Sequence, residues 1–166
     1  MTDDTTSAWA AYPLDREAVI ARVIDADRDT VFRAWTDPAQ IVQWFGPAGF
    51  TLDTHQIDIR AGGVWRFDMI APDGTVFSNR MAFLRIETPS RIEATHGSDT
   101  DDDPDRFRLL VTFDAQDNGK TLVTLRQMHP TAARRAMVIR FGAAEYGAQT
   151  LAKLAGHVLD QGGATP

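Results

Sequence analysis

The sequence of 166 residues contains no cysteine. This absence excludes disulfide bonds, a thiolate nucleophile and thiolate metal ligands. No apolar run approaches the roughly 20 residues of a transmembrane helix, and the first ten residues are polar and acidic, unlike a signal peptide. The net charge of −6 disfavours nucleic acid and anionic membranes as partners, because both repel an acidic protein. We therefore expect a cytoplasmic protein with neither kind of partner.

Motifs for covalent or metal chemistry are also missing. None of the four serines lies in a Gly-x-Ser-x-Gly turn, and no Lys-Ser/Thr pair follows Gly62-Gly63 as it would in a phosphate-binding loop. The four histidines lack the paired spacing that is usual for metal ligands on one element. Residues 97–105 contain five aspartates without the spacing of a calcium loop, so we expect this loop to be solvated. The sequence thus predicts no cofactor, no metal and no catalytic residue.

What the sequence does contain is a long series of strand patterns. Apolar residues make up 43% and charged residues 24%, as is ordinary for one globular domain. Alternation with a period of two, bounded by turn residues, predicts seven strands at residues 17–25, 50–60, 64–70, 75–86, 91–96, 106–114 and 121–129. Aspartates before residues 30–35, and an Asp-Pro pair before residues 39–44, predict two short helices after the first strand.

The C-terminal residues 131–159 have helical periodicity instead. Apolar residues recur at spacings of three and four, at Met137, Phe141, Ala144, Ala148, Leu151, Ala155 and Val158. This predicts one amphipathic helix of about 25 residues, with small residues in its middle that allow either a close approach to the sheet or space for a ligand. One helix covers seven strands only if the sheet curls around it. The predicted fold class is therefore α+β, with a curved antiparallel sheet of six or seven strands around a long C-terminal helix.

Five segments of the chain resemble bacterial homologues of the activator of the heat-shock-protein-90 ATPase, in the START-like or SRPBCC superfamily. They are residues 30–47, 60–69 (RAGGVWRFDM), 72–74, 79–93 and 149–159 (QTLAKLAGHVL). The resemblance covers about residues 17–159 and implies a helix-grip fold with a deep pocket between the curved sheet and the C-terminal helix. It places a single domain at residues 16–160, between flexible tails at residues 1–15 and 161–166.

One departure from the family pattern bears on the pocket. Many members carry a Gly-Trp pair four residues before the first leucine of the final motif, where this chain has Tyr146-Gly147. A large aromatic residue on the pocket side is thereby replaced with glycine. We expect a pocket that is enlarged or reshaped beneath Ala144, Gly147 and Ala148, with Tyr146 turned to the side.

Residues expected to face this pocket are the candidate ligand contacts. They are Trp65, Phe67, Met69, Asn79, Met81, Phe83, His96, Tyr146, Gly147 and Leu151. The apolar members are explained equally well as core, whereas Asn79 and His96 are more informative, because an inward polar group needs a partner or water. By alternation Arg66 and Asp68 point to the opposite face. Arg126 either holds an anionic ligand or lies in solvent.

The leading functional hypothesis is binding of a small, mostly apolar molecule in this pocket, with little or no catalysis. Two alternatives from other classes stay open. Superfamily relatives include cyclases and dehydratases, which implies an enzyme of cyclase or hydrolase type. The family name implies instead a co-chaperone-like module that binds a heat-shock ATPase. The sequence is also compatible with a homodimer.

Overall fold

The computed structural model of the protein describes residues 14–163. A 3-10 turn at Leu14–Arg16 leads into the first strand. The tail predicted at residues 1–15 therefore lies almost wholly outside the described residues. Of the tail predicted at residues 161–166, only residues 161–163 lie inside them, where they end a helix.

Seven strands form one curved, open antiparallel sheet, as the alternating pattern predicts. Each lies within three residues of its predicted bounds: β1 Glu17–Ile24, β2 Thr51–Ile57, β3 Val64–Ile70, β4 Val76–Glu87, β5 Arg91–Ser98, β6 Phe107–Ala115 and β7 Thr121–Met128. The strand order is β1-β7-β6-β5-β4-β3-β2. Strands β2 to β7 therefore form a meander, and β1 pairs with β7 to form one edge of the sheet.

Two short helices follow β1, as predicted. Helix α1, Arg28–Thr36, begins after Asp27, whose carboxylate accepts a hydrogen bond from the Thr30 amide at 2.7 Å. Helix α2, Pro38–Trp44, begins after Asp37, which accepts from the amide of Ala39 at 3.0 Å. Such caps satisfy amides that have no partner within the helix. The confirmed caps therefore set where both helices begin.

An aromatic cluster fills the space between these helices and the inner face of the sheet. Trp35 meets Trp44 and Phe45 edge-on, with ring centroids 4.9 and 5.9 Å apart. Trp65 and Phe67 on β3 stack at 3.9 Å, and both are fully buried. Burial of each such side chain stabilises a fold by roughly 1.5–3 kcal/mol. This cluster therefore holds α1 and α2 against the sheet.

The C-terminal segment is two helices, so the prediction of one continuous helix is wrong. Helix α3 is Ala132–Arg140 and helix α4 is Ala143–Gly163. Gly142 separates them with a φ of +97°, in the left-handed region that favours glycine. The break changes which residues face inward. Phe141, which the periodicity placed on the inner face, is 71% exposed, whereas Leu151 and Val158 are buried as predicted.

The aspartate loop is partly structural rather than wholly solvated. Arg66 on β3 and Arg80 on β4 lie directly opposite each other in the sheet. Asp99 accepts hydrogen bonds from Arg66 Nη2 at 2.8 Å and from Arg80 Nε at 2.9 Å. The bonds from Arg66 and Arg80 lower the pKa of Asp99 to about 2, against the opposing effect of burial. Asp99 thus offsets the repulsion between two arginines whose pairing the sequence does not reveal.

Candidate functional site

A cavity of about 250 Å³ lies between the inner face of the sheet and the two C-terminal helices. Strands β5, β6 and β7 form one wall, and α3 and α4 form the opposite side. The residues after α2 close one end. Most of its lining is apolar, from Trp35, Phe45, Gly46, Pro47, Met69, Phe107, Leu109, Leu125, Val138, Ala143, Tyr146 and Gly147. The polar lining residues are His96, Gln127, His129 and Thr150.

Two histidines, one on β5 and one directly after β7, flank one aromatic ring in this lining. The Phe107 ring centroid lies 5.2 Å from that of His96 and 5.0 Å from that of His129. The two histidines are 33 positions apart in the sequence, and only the pairing of β5 and β7 with β6 brings them together. They give a mostly apolar cavity two titratable groups.

His129 is the more unusual of these histidines. It is 2% exposed, and neither ring nitrogen has a hydrogen-bond partner within residues 14–163. Its backbone amide donates to the Arg16 carbonyl at 2.9 Å, which fixes the residue at the end of β7. Burial, with Arg134 and Arg135 nearby, lowers its pKa to about 4, so the imidazole is neutral at pH 7.

A second buried polar group without a partner lines the same cavity. Trp35 is 2% exposed, and its indole Nε1 makes no hydrogen bond to any described residue. The neighbouring Trp44 shows the usual arrangement, since its Nε1 donates to the Ala34 carbonyl at 3.0 Å. Native proteins leave few buried polar groups unpaired. Trp35 and His129 therefore each hold unpartnered, buried nitrogen atoms in the wall around this cavity.

His96 separates the cavity from a more polar groove. Its Nε2 lies 2.9 Å from Asn79 Oδ1, and burial, with Arg106 nearby, lowers its pKa to about 4. His96 and Phe107 also line the groove, together with Asn79 and three aspartates of the 97–105 loop. Asn79 and His96 were expected to be polar groups that face inward. They form a hydrogen bond with each other at the boundary between the cavity and the groove.

The predicted candidate contacts fall into three places. Met69, His96, Tyr146 and Gly147 line the cavity, and Asn79 lines the adjoining groove. The other five are core residues exposed by at most 2%, namely Trp65, Phe67, Met81, Phe83 and Leu151. Arg126, the remaining candidate for an anionic ligand, pairs instead with the buried carboxylate of Glu17.

Strand β7 supplies lining residues that sequence reasoning missed. Leu125 and Gln127 on its inner face, and His129 directly after it, line the cavity at alternate positions. The same period of two that identified the strand would have placed Gln127 and His129 on that face. The break at Gly142 is the reason for missing three other lining residues, Val138, Ala143 and Thr150. Because of it, the faces that α3 and α4 turn to the sheet differ from the face of one continuous helix.

Gly147 both lines the cavity and lies against β1. A Cβ atom at this position would be 2.4 Å from Ile20 Cδ1 and 3.2 Å from Ile20 Cγ1. Ile20 therefore occupies the space into which a larger residue at position 147 would project. The expected enlargement beneath Ala144 and Ala148 is wrong, because both are exposed on α4.

One group of possible metal ligands lies elsewhere, on the outer face of the β2–β3 edge. Asp53, His55 and Asp68 bring one ligand atom each within 4.8 Å of the others. His55 Nε2 lies 2.9 Å from Asp68 Oδ2, so this pair already makes a hydrogen bond. His55 and Asp53 are exposed, and none of the three lines the cavity.

A curved seven-stranded antiparallel sheet, with two short helices after β1 and a C-terminal helix across its inner face, defines the START-like helix-grip class. The chain belongs to the family described as Activator of Hsp90 ATPase homolog 1-like protein, whose family model matches residues 25–158. This confirms the resemblance drawn from the five segments. The family has a ligand-binding type of fold.

Solved structures agree on the architecture. A protein from Nitrosomonas europaea has a TM-score of 0.81 at 22% identity, covering 91% of this chain and 99% of its own. One from Arthrobacter aurescens has a TM-score of 0.80 at 20% identity, with coverages of 88% and 87%. The AHSA1 protein from Silicibacter pomeroyi has a TM-score of 0.71 at 20% identity, with coverages of 87% and 99%. At these identities the likeness shows the fold alone.

No curated protein matches the chain. Among residues 14–163, no helix has the length and apolar character needed to cross a membrane. The function is therefore argued from the cavity itself.

Proposed function

We propose that the cavity between the sheet and helices α3 and α4 binds a small, mostly apolar molecule. The observation that carries this proposal is a preformed apolar cavity of about 250 Å³ in a fold of ligand-binding type. An apolar cavity of about 150 Å³ is sufficient to bind benzene. A molecule of two fused rings is therefore a reasonable size for the ligand.

Binding is better supported than catalysis. The described lining contains no carboxylate and no serine or lysine, and its threonine, Thr150, donates its hydroxyl to the Tyr146 carbonyl at 3.0 Å. His96 is engaged by Asn79, and no nucleophile lies beside His129 in the lining. A general base needs a proton donor of the substrate within reach, but a binding site needs only shape and matched polarity. The proposal places this binding protein in the cytoplasm, without a nucleic-acid or membrane partner.

A bulky residue on α3 tests the proposal. Val138 lines the cavity, so Val138→Trp should fill it and weaken the binding of naphthalene at least tenfold. Isothermal titration calorimetry with purified protein measures this change. Ala136 lies two residues away on the exposed face of the same helix, and Ala136→Trp is the matched control.

The two variants give separable outcomes. The proposal predicts that Ala136→Trp binds naphthalene like the unmodified protein and that Val138→Trp does not. Equal binding by both variants would place the site elsewhere. The proposal is wrong if the unmodified protein binds neither naphthalene, tested up to its solubility limit, nor a single-ring analogue.

A further inference from the structure

The group of possible metal ligands on the outer face of β2 and β3 lies apart from the cavity. Asp53 on β2 is directly opposite Asp68 on β3. Two like charges in directly opposite positions destabilise the pairing of antiparallel strands. On its other side, Asp68 is opposite the uncharged Ser78 of β4, and β2 is an edge strand of the sheet. Neither carboxylate therefore has an arginine or lysine directly across from it.

A pair of arginines in the same sheet shows how like charges are otherwise accommodated. Arg66 and Arg80 are directly opposite each other, and Asp99 accepts hydrogen bonds from both. The pair of Asp53 and Asp68 has no such bond from an arginine or lysine among the described residues. A bound cation would offset the repulsion between the two aspartates as Asp99 offsets that between the two arginines.

His55 adds a nitrogen ligand to the two carboxylates. The register of β2 against β3 shifts between Thr54 and Gln56, so His55 is the extra residue of a β-bulge. Its Nε2 lies 2.9 Å from Asp68 Oδ2, and one ligand atom each of His55, Asp53 and Asp68 lies within 4.8 Å of the others. Two ligand atoms of one tetrahedral zinc ion lie about 3.4 Å apart, given bonds of about 2.0–2.2 Å. Rotation of the exposed side chains of Asp53 and His55 closes this difference.

The donor set determines the class of ion. One imidazole nitrogen with two carboxylate oxygens suits a divalent transition metal ion, whereas calcium and magnesium take oxygen ligands. Asp53 makes no hydrogen bond or ion pair with another described residue, so its carboxylate is available to an ion. Three protein ligands also leave a coordination position for water, as in zinc sites that are not fully enclosed by protein.

We propose that Asp53, His55 and Asp68 bind one divalent transition metal ion, represented by Zn²⁺, on the outer face of the sheet. The site is separate from the cavity and does not depend on the proposed function. Strand β2 pairs only with β3, so an ion held by both strands fastens this edge of the sheet. The ion stabilises the folded protein, because the unfolded chain does not hold the three ligands together.

Titration of Zn²⁺ into the chelator-treated protein tests the site directly. We expect isothermal titration calorimetry to give one Zn²⁺ per chain, bound about tenfold or more tightly than Mg²⁺. At roughly a hundredfold excess over its dissociation constant, Zn²⁺ should raise the melting temperature by about 5 °C or more. In nuclear magnetic resonance spectra, the signals of the His55 imidazole nitrogens should shift and those of His157 should not.

Substitutions of the ligands link the binding to this site. His55→Ala and Asp53→Asn should each weaken Zn²⁺ binding about tenfold or more and remove the rise in melting temperature. Because Asp53→Asn also removes one of two opposed charges, this variant should be at least as stable as the unmodified protein without metal. Asp114 is exposed on β6, and Asp114→Asn is the matched control, which should bind Zn²⁺ like the unmodified protein.

Each outcome decides a part of the proposal. Binding of Zn²⁺ that survives both ligand substitutions unchanged would place the ion elsewhere and overturn the site. Equal affinity for Zn²⁺ and Mg²⁺ would overturn the assignment of a transition metal ion. Weak binding of several ions without a shift of the His55 signals would show adventitious ions only, and would overturn the proposal as a whole. The naphthalene experiment on the cavity is unaffected by any of these results.

Discussion

Gly147→Trp should lower the free energy of unfolding by about 1–3 kcal/mol, the usual range for an overpacked site. The physical reason is the contact with β1, since even a Cβ atom at position 147 would lie 2.4 Å from Ile20 Cδ1. The gain in helix propensity on removing a glycine is at most about 1 kcal/mol and does not offset this. Urea unfolding followed by circular dichroism measures the change.

Helix α4 offers a matched control and the chain a second-site test. Gly156 lies on the exposed side of α4 with open space beside it, so Gly156→Trp should leave stability unchanged or slightly raised. Adding Ile20→Ala to Gly147→Trp should restore part of the lost stability, because it removes the atoms in the way. If Gly147→Trp is as stable as the unmodified protein, α4 and β1 are not as close as described.

Acidification from pH 7 to pH 4 should destabilise the protein by about 2–3 kcal/mol for each of two histidines, the buried His129 and the half-buried His96. Burial lowers the pKa of His96 and of His129 to about 4, below the ordinary value of 6.5. Between these values the unfolded chain binds protons that the folded chain does not, so stability falls as the pH falls. A shift of one unit corresponds to about 1.4 kcal/mol. Urea unfolding at pH 7, 5.5 and 4 follows the loss.

Replacement of one histidine should remove its share of this loss. His129→Leu is expected to be less sensitive to acid between pH 6.5 and pH 4 than the unmodified protein. His55 is exposed on the outer face, so His55→Asn should leave the loss in place. Parallel pH profiles for His129→Leu and the unmodified protein would show that His129 is not a buried neutral group.

The sheet was predictable because its information is local. Each strand shows alternation over its own length, and each turn carries glycine, proline or aspartate at the place where the chain reverses. The same holds for the aspartates that cap α1 and α2. Trp65 and Phe67 alternate with Arg66 and Asp68, and the structure buries the first pair as this pattern predicts. The need for one helix to cover seven strands then predicted a curved sheet around it, and the family resemblance implied the same arrangement.

The features that were mispredicted depend on contacts between distant residues. The pattern of residues 131–159 continues across Gly142, so periodicity alone does not reveal a break set by the geometry of one glycine. The role of Asp99 follows from two arginines that meet only when β3 and β4 pair. Similarly, the small side chain at Gly147 is explained by Ile20, which is 127 positions away in the sequence.

The composition of the cavity was only partly predictable for the same reason. An apolar strand face predicts burial, but it does not distinguish packed core from the wall of an empty space. Trp65, Met81 and Leu151 pack tightly, whereas Met69 and Leu125 border the cavity. That difference depends on how far α3 and α4 stand from each strand. Only the assembled fold determines it.

The central claim is that a small, mostly apolar ligand occupies the cavity between the sheet and helices α3 and α4. Methyl-labelled protein with bound naphthalene gives the most direct measurement, through intermolecular nuclear Overhauser effects. The account predicts contacts from the naphthalene protons to the methyl groups of Leu109, Leu125 and Val138, and none to those of Val19, on the outer face of β1. Contacts confined to outer-face methyl groups, with none to these three residues, would contradict it.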